Sequence, residues 1–327
     1  MRTRIRIFPA FLLGAAAALA FLAATIADGV AADAIQVGKA QGPVWAFLPV
    51  DVGLKYGLFA KYDVEPRITV LAGDAKVQQA LASDSIDIGL GGGPGMAFAV
   101  KGSPSLAVAA FAGAPRDLSV FVAADSPIRT VADLKGKVVT VSTQGSLTDW
   151  MAMRLAIAEG WGRDGIRRLA LGATEGRVAA LKAKQIDADL DGTEVAFLLE
   201  EKHEARILVG LDKFAPDFIT HVVFARKSLI ASNPGLIRRF LKGFFASIAY
   251  MKAHKDETDA VAVAAIGETP AVASKIYDYE IPMLGDDGRF DPKAIAVLKR
   301  SFVEMGTLDK VPADNQIFTT DFVPVKP

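Results

Sequence analysis

Five short polar stretches carry the side chains best placed to do chemistry: Gln41-Gly42-Pro43-Val44-Trp45, Gly91-Gly92-Gly93, Ser142-Thr143-Gln144-Gly145-Ser146, Ala173-Thr174-Glu175 and Asp191-Gly192-Thr193-Glu194. Each follows an apolar run of strand character and precedes a run of helical character. A loop of that kind offers unpaired backbone N–H groups and the positive end of a helix dipole, a natural seat for an anion or another hydrogen-bond acceptor. Gly92 and Gly93 let a ligand touch backbone, and Gln41, Gln144, Gly145, Ser146, Thr174 and Thr193 add polar contacts. Trp45 adds a ring that can pack on a ligand. Glu175 and Glu194 pull the other way, toward a neutral or amine-bearing ligand. Ser146 with Asp149 reads as a variant capping box, and Thr174 and Thr193 read as N-caps.

The residues for covalent or metal chemistry are not assembled in the sequence. The three histidines, His203, His221 and His254, form no pair at metal-ligand spacing. His221 alone falls in a strand where a hinge and a cleft would meet, and so joins the candidate contacts. There is no G-x-S-x-G elbow, phosphate-binding P-loop or H-E-x-x-H helix. Gly91-Gly92-Gly93-Pro94-Gly95 has neither the Lys-Ser/Thr ending of a phosphate cradle nor the spacing of a dinucleotide fingerprint. Cysteine is absent, which excludes disulfides, thiol catalysis and Cys-ligated zinc or iron–sulfur centres. The expectation is a binding protein with no catalytic residue, metal or cofactor.

These loops need a scaffold, and the chain describes it twice. Leu71–Leu90 (LAGDAKVQQALASDSIDIGL) is echoed by Leu171–Leu190 (LGATEGRVAALKAKQIDADL), with identical pairs at Leu71/Leu171, Ala80/Ala180, Leu81/Leu181, Ile86/Ile186, Asp87/Asp187 and Leu90/Leu190. Upstream, Ile35–Gly42 is echoed by Val138–Ser146. Short apolar strands alternate with helices of 10 to 15 residues from Ile35 onward, the pattern of a mainly parallel sheet. Strands are expected at Ile35–Gly38, Val64–Leu71 and Ile86–Leu90, with helices at Ala46–Tyr56 and Ala75–Ala82. Crossings between two lobes are expected at Ala114–Val122 and Phe214–Ala225. Asn233-Pro234 then opens a long helix whose apolar stripe runs Leu236, Ile237, Phe240, Leu241, Phe244, Phe245, Ile248, with Arg238, Arg239 and Lys242 on the solvated face.

The expected fold is therefore α/β and two-lobed, each lobe a mainly parallel sheet flanked by helices. The boundaries are 33–115 for the first part of lobe 1, 116–219 for lobe 2, and 220–327 for the return to lobe 1 and the C-terminal helices. Such lobes leave a cleft at the carboxyl ends of their strands. Residues 1–32 read as a secretory signal: Arg2, Arg4 and Arg6, an apolar run from Ala10 to Ala24, then Val30-Ala31-Ala32 before Asp33, with cleavage expected after Ala32. That run is shorter than the roughly 20 residues a membrane-spanning helix needs, so no stable membrane insertion is expected. Removing three Arg and one Asp from 37 basic and 37 acidic residues leaves 34 and 36, a formal charge of −2. Nothing in that balance points to nucleic acid.

Several stretches together resemble the periplasmic solute-binding proteins for nitrate, sulfonates and taurine, within the superfamily that also holds a thiamine-pyrimidine synthase. They are Leu54-Lys55-Tyr56-Gly57-Leu58-Phe59, Ala80-Leu81-Ala82-Ser83 with Ile86-Asp87-Ile88-Gly89, Val131-Ala132-Asp133-Leu134-Lys135-Gly136-Lys137-Val138, Ala180-Leu181 with Ile186-Asp187-Ala188, Asn233-Pro234, and Thr307-Leu308 with Asp321-Phe322. The resemblance implies a two-lobed type II receptor, periplasmic and monomeric, that closes on one small molecule and delivers it to the permease of an ABC importer. It also implies that the ligand is held by Gln41–Trp45, Gly91–Gly93, Gln144–Ser146 and Asp191–Glu194. A sulfonate- or nitrate-like anion and a small heterocycle both remain open, as does a receptor for a sensor system. The enzyme of the superfamily, which uses His and iron, is disfavoured by the export signal and the scattered histidines. Asp191–Val195 lacks the proline often found in that loop, and no arginine stands in these loops to clamp a sulfonate.

Overall fold

The computed structural model describes residues 32–327, which form one compact unit. The expected signal segment, apart from Ala32, lies outside the described residues. Ten strands form two sheets. The first contains β1 (Asp33–Lys39), β2 (Val64–Val70), β3 (Ile88–Gly92), β4 (Ser105–Ala112) and β10 (His221–Arg226), in the order β2-β1-β3-β10-β4. The second contains β5 (Leu118–Ala123), β6 (Val138–Val141), β7 (Arg167–Ala170), β8 (Ala188–Gly192) and β9 (Ala205–Gly210), in the order β7-β6-β8-β5-β9. The two orders are the same pattern. In each, one antiparallel strand, β10 or β5, is inserted beside a parallel set. Those two strands begin within the segments expected to cross between lobes, so the sheets are mainly parallel and tied together by the chain passing from one to the other.

The helices are α1 (Leu48–Lys55), α2 (Asp74–Ala82), α3 (Ala97–Val100), α4 (Leu147–Ala158), α5 (Thr174–Lys182), α6 (Thr193–Glu201), α7 (Lys227–Ser232), α8 (Pro234–Ala253), α9 (Lys255–Ile266), α10 (Pro270–Glu280), α11 (Pro292–Glu304) and α12 (Asp314–Ile317). The sequence repeat is structural. Helices α2 and α5 begin at equivalent positions, as do β3 and β8. Asp87 accepts a hydrogen bond from Gln36 N at 2.9 Å, and Asp187 accepts the equivalent one from Val138 N at 2.7 Å. Asp84 and Lys184, ahead of those aspartates, adopt the same left-handed backbone, φ 56° and 57°.

Local chemistry sets the helix starts. Asn233 accepts from Leu236 N at 3.1 Å and Pro234 fills the first turn of α8, whose seven expected apolar residues are all buried. Arg238 and Lys242 face solvent, but Arg239 is tied to Asp33 and to the Asp63 carbonyl. Ser146 caps α4 through Asp149 N at 3.3 Å, as expected, but the return bond to Asp149 Oδ2 comes from Gly145 N at 2.9 Å, one residue before the N-cap. Thr174 and Thr193 do not cap. They are the first helical residues of α5 and α6, and the N-cap positions belong to Ala173 and Gly192.

One apolar core runs from the first sheet into the second, and a smaller one around Phe121, Leu181 and Leu199 lies behind the second sheet. Burial on this scale, at about 25 cal/mol per Å² of apolar surface, is what holds a cysteine-free chain together. Among the described residues no helix is long and apolar enough to cross a membrane.

Candidate functional site

The carboxyl ends of β1, β3, β6 and β8 meet across a narrow cleft. Its walls include Gln41, Val44 and Phe47 after β1, Gly92 at the end of β3, Ser142, Leu147 and Thr148 after β6, and Asp191 and Gly192 at the end of β8. Asp74, Asp117 and His221 complete it, the latter two from the crossing segments. The cavity holds only about 40 Å³, so the lobes lie nearly closed on one another.

Asp74 fastens that closure. Its Oδ1 accepts from Gly92 N at 2.7 Å in its own lobe, and its Oδ2 accepts from Leu147 N at 2.9 Å in the other. A carboxylate therefore already sits at the N-terminus of α4, where the dipole favours negative charge. Burial raises the Asp74 pKa above the usual range, against the pull of those two N–H groups. Gln41 adds a second bridge, donating to the Gly172 carbonyl at 3.4 Å, and Ala75 N donates to Thr143 Oγ1 at 3.4 Å.

The second lobe's floor is a buried ionic network. Arg177, fully buried, pairs with Asp191 at 2.6 Å and Asp189 at 3.4 Å and donates to the Leu190 carbonyl at 2.8 Å. Burial works against the guanidinium charge, but the two aspartates outweigh it and its pKa rises. Asp189 also accepts from Thr140 Oγ1 at 2.7 Å, yet burial pushes its carboxyl up to about 7. The first lobe places Val77 and Gly89 where the second has Arg177 and Asp189, and a Cβ on Gly89 would meet Val77 at 2.4 Å. The same site in the repeat is apolar in one lobe and charged in the other.

Four further acids are buried on the same side of the molecule. Asp117 pairs with His221 Nε2, while its Oδ1 has no partner among the described residues. His221 is held between rings, 4.9 Å from Phe47 edge-on and 5.6 Å from Phe111 stacked. Both carboxyl oxygens of Glu194, Glu268 and Glu280 likewise lack a hydrogen-bond partner. Burial holds Glu194 and Glu280 well above the carboxylate range; Glu268 and Asp117 push both further, Asp191 adds to Glu194 and Glu194 to Glu280, while the backbone N–H of Glu194 draws its own carboxyl back. Burial, with Asp259 nearby, pushes Glu268 up to about 7. Strongly shifted groups around a cleft are the usual mark of a functional site.

The expected contact residues divide into two sets. Gln41, Gly92 and His221 line the cleft. Glu194 lies just behind its floor: a Cβ on Gly192 would meet the Glu194 carboxyl at 2.2 Å. Gly93 packs under Ile219, its N–H bonded to the Thr220 carbonyl at 2.9 Å. Ser146 belongs to a hydroxyl cluster with Ser142 and Thr148, Gly145 turns at φ 75°, and Gln144 is exposed. Thr174 accepts from Arg177 at 3.2 Å, Thr193 bonds Ser119 and the Arg116 carbonyl, and Glu175 faces solvent. Trp45 is fully buried in a short 3-10 turn, with Tyr277 edge-on at 6.0 Å, rather than at a cleft mouth. It is drawn into the core with its neighbours, because Ala46, Phe47 and Leu48 beside it are all buried.

The model of the family described as NMT1/THI5 like matches residues 46–258, well over half of the chain. The chain belongs to the NMT1/THI5-like family. No curated protein matches it in sequence. Among solved structures, this family member is similar to the alkanesulfonate-binding protein SsuA of Xanthomonas axonopodis pv. citri bound to MOPS, at 18% identity over 87% of this chain and 98% of that one, TM-score 0.74. It is similar to the periplasmic aliphatic sulphonate binding protein SsuA of Escherichia coli, at 20% identity over 90% and 94%, TM-score 0.71. The desulfurization enzyme DSZB, as a point mutant in complex with biphenyl-2-sulfinic acid, shares the fold at 16% identity over 89% and 97%, TM-score 0.62. The fold is thus that of the periplasmic binding proteins, as the family resemblance implied, and it carries both receptors and an enzyme.

Sequence reasoning passed over Asp74, Asp117 and Glu280. Asp74 had a signal: it is an acid where the repeat has Thr174. Asp117 had one as well, since it lies in the expected crossing Ala114–Val122 just as His221 lies in the other; Glu280 had none, because it reaches the cleft region from a segment remote in sequence.

Proposed function

We propose that this protein is a solute receptor, exported to the periplasm, that closes two lobes over a small organic molecule and presents it to the permease of an ABC importer. The observation that carries the reading is Asp74, one carboxylate bonded to Gly92 N in one lobe and Leu147 N in the other across a cleft lined from both. Bonds of that kind give a closed state that opens by hinge motion about the two crossing segments. The contact residues in this reading are Gln41, Gly92, Asp117, Asp191 and His221 at the cleft, with Glu194 behind them. The receptor acts as a monomer, since both lobes must face the permease.

The reading assigns no catalysis. The chain has no cysteine, hence no thiol nucleophile. The test is small-angle scattering and a thermal-shift series on purified protein that has been unfolded and refolded to strip bound ligand, with sulfonates, nitrate, carboxylates, amines and pyrimidines. A receptor contracts and melts higher with one chemical class, whereas turnover of that compound would move the protein to the enzymatic branch of the fold. Loss of uptake of the responding compound in a deletion strain would tie the protein to import.

A further inference from the structure

The receptor reading leaves the charge of the ligand open, and two independent features of the cleft bear on it. The first is that six backbone donors of the cleft loops, which an anion could otherwise use, are already engaged. Gly92 N and Leu147 N donate to Asp74, Gly145 N to Asp149, Gly192 N to Asp191, Gly93 N to the Thr220 carbonyl, and Thr193 N to the Asp117 carbonyl. At the starts of α4 and α6 the first N–H groups, Leu147 and Thr193, are thus satisfied by the protein itself. An anion in the cleft would stand beside the Asp74, Asp117 and Asp191 carboxylates, a repulsion that a poorly solvated site screens only weakly.

The second feature is an excess of acceptors. Asp117 Oδ1 and all four carboxyl oxygens of Glu194 and Glu280 are buried without a partner among the described residues. Asp117 is wholly buried and lines the cleft, and Glu194 folds over Gly192 on its floor. The cations nearby do not answer them. Arg177 is engaged by Asp189, Asp191 and the Leu190 carbonyl, and Arg116 lies over the Tyr279 ring, 5.8 Å from its centroid, and reaches the Tyr279 carbonyl at 3.4 Å. His221 meets only one oxygen of Asp117. Buried acceptors left unpaired are costly, so a ligand that supplies donors and positive charge gains what the free protein lacks. No group of His, Asp and Glu among the described residues is arranged to hold a metal ion, which favours an organic cation.

We propose that the cleft selects a small organic cation with at least two N–H donors, a guanidinium, amidinium or primary ammonium group, received by Asp117 and Glu194 with Glu280 behind them. The inference rests on the receptor reading of the same cleft and fixes its substrate class. The lobes part to admit the ligand, and the cation takes up the unpaired oxygens as they close.

The experiment uses protein purified from the full-length gene and stripped by unfolding and refolding, titrated calorimetrically and melted with agmatine, putrescine or acetamidine, with methanesulfonate or nitrate, and with Zn²⁺. The expected result is binding of one or more of the cations and of neither anion, weakened at least tenfold by Glu194→Gln and by Glu280→Gln. Both variants should melt no lower than the parent at pH 8 without ligand, because each removes a buried carboxyl that has no partner. Asp117→Asn supplies the same readout should either Gln variant fail to fold. Binding of methanesulfonate or nitrate alone overturns the cation assignment and leaves the receptor reading standing, and a response to Zn²⁺ alone replaces it with a metal. Cation binding unchanged in every variant overturns the role given to these acids. Silence toward all three classes overturns the cation assignment and leaves the receptor reading to the wider ligand series above.

Discussion

Glu268→Gln tests the electrostatics of the buried acids directly, through the pH dependence of stability. Glu268 precedes the α10 N-cap Thr269, is almost fully buried, and has no partner for either oxygen. Burial first, then Asp259, raises its carboxyl from 4.5 in the unfolded chain to about 7 in the folded protein. The folded state then holds the proton more tightly than the unfolded state, so stability is highest below the unfolded pKa and falls as pH rises toward the folded one. A shift of about 2.5 pKa units corresponds to about 3.4 kcal/mol, of which about 2.5 kcal/mol is lost between roughly pH 5 and 8.5. Unfolding entropy near 2.1 cal/mol/K per residue over about 300 residues turns that into about 4 °C of melting temperature. Gln carries the same shape without titrating. Its own unpaired amide shifts stability by a pH-independent amount, so the informative quantity is the difference between parent and variant at two pH values. Calorimetric melts at pH 5 and 8.5 should show the variant gaining about 4 °C on the parent across that interval. An unchanged gap would mean that Glu268 ionises freely, and the picture of a buried acid cluster would fail with it.

Asp74→Asn puts an NH₂ opposite one of two backbone N–H donors and removes a charge-assisted bond of about 1.5–3 kcal/mol; the ligand-free protein should expand in small-angle scattering, and an unaltered radius of gyration would show that Asp74 does not hold the lobes. Arg177→Met strands Asp189 and Asp191 and should cost about 3–5 kcal/mol at pH 8, with partial recovery at pH 5 as the Asp189 carboxyl takes up its proton; denaturant melts showing equal losses at both pH values would contradict the buried ion network. Gly93→Ala drives a Cβ to 2.1 Å from the Ile219 carbonyl oxygen and should cost about 1–3 kcal/mol. Gly176→Ala, in α5 with nothing closer than 3.8 Å, should instead stabilise by up to about 1 kcal/mol, and the two measured together separate close approach from helix propensity.

The helix starts at Ser146 and Asn233, the strand alternation and the doubling of the fold were all legible, because each rests on contacts a few residues apart. Caps, periodicity and turns obey local rules, and a repeat shows itself as a repeat. Asp87 and Asp187 were visible as a matched pair, though not as the acceptors of Gln36 N and Val138 N. The cleft was legible as a set of loops. Its chemistry was not: Thr174, Thr193 and Ser146 met partners inside the protein, and Trp45 went into the core.

The sequence alone determined two similar α/β lobes, a chain free of cysteine chemistry and loops suited to holding a small molecule. The tertiary structure decided the sign of the site. Asp74 reaches Leu147 across 73 residues, His221 reaches Asp117 across 104, and Glu280 comes to Glu194 and Asp117 from a helix that joins the cleft region only when the chain returns to the first sheet. A carboxylate's influence depends on distance and on the water left around it, and neither is written in the order of residues.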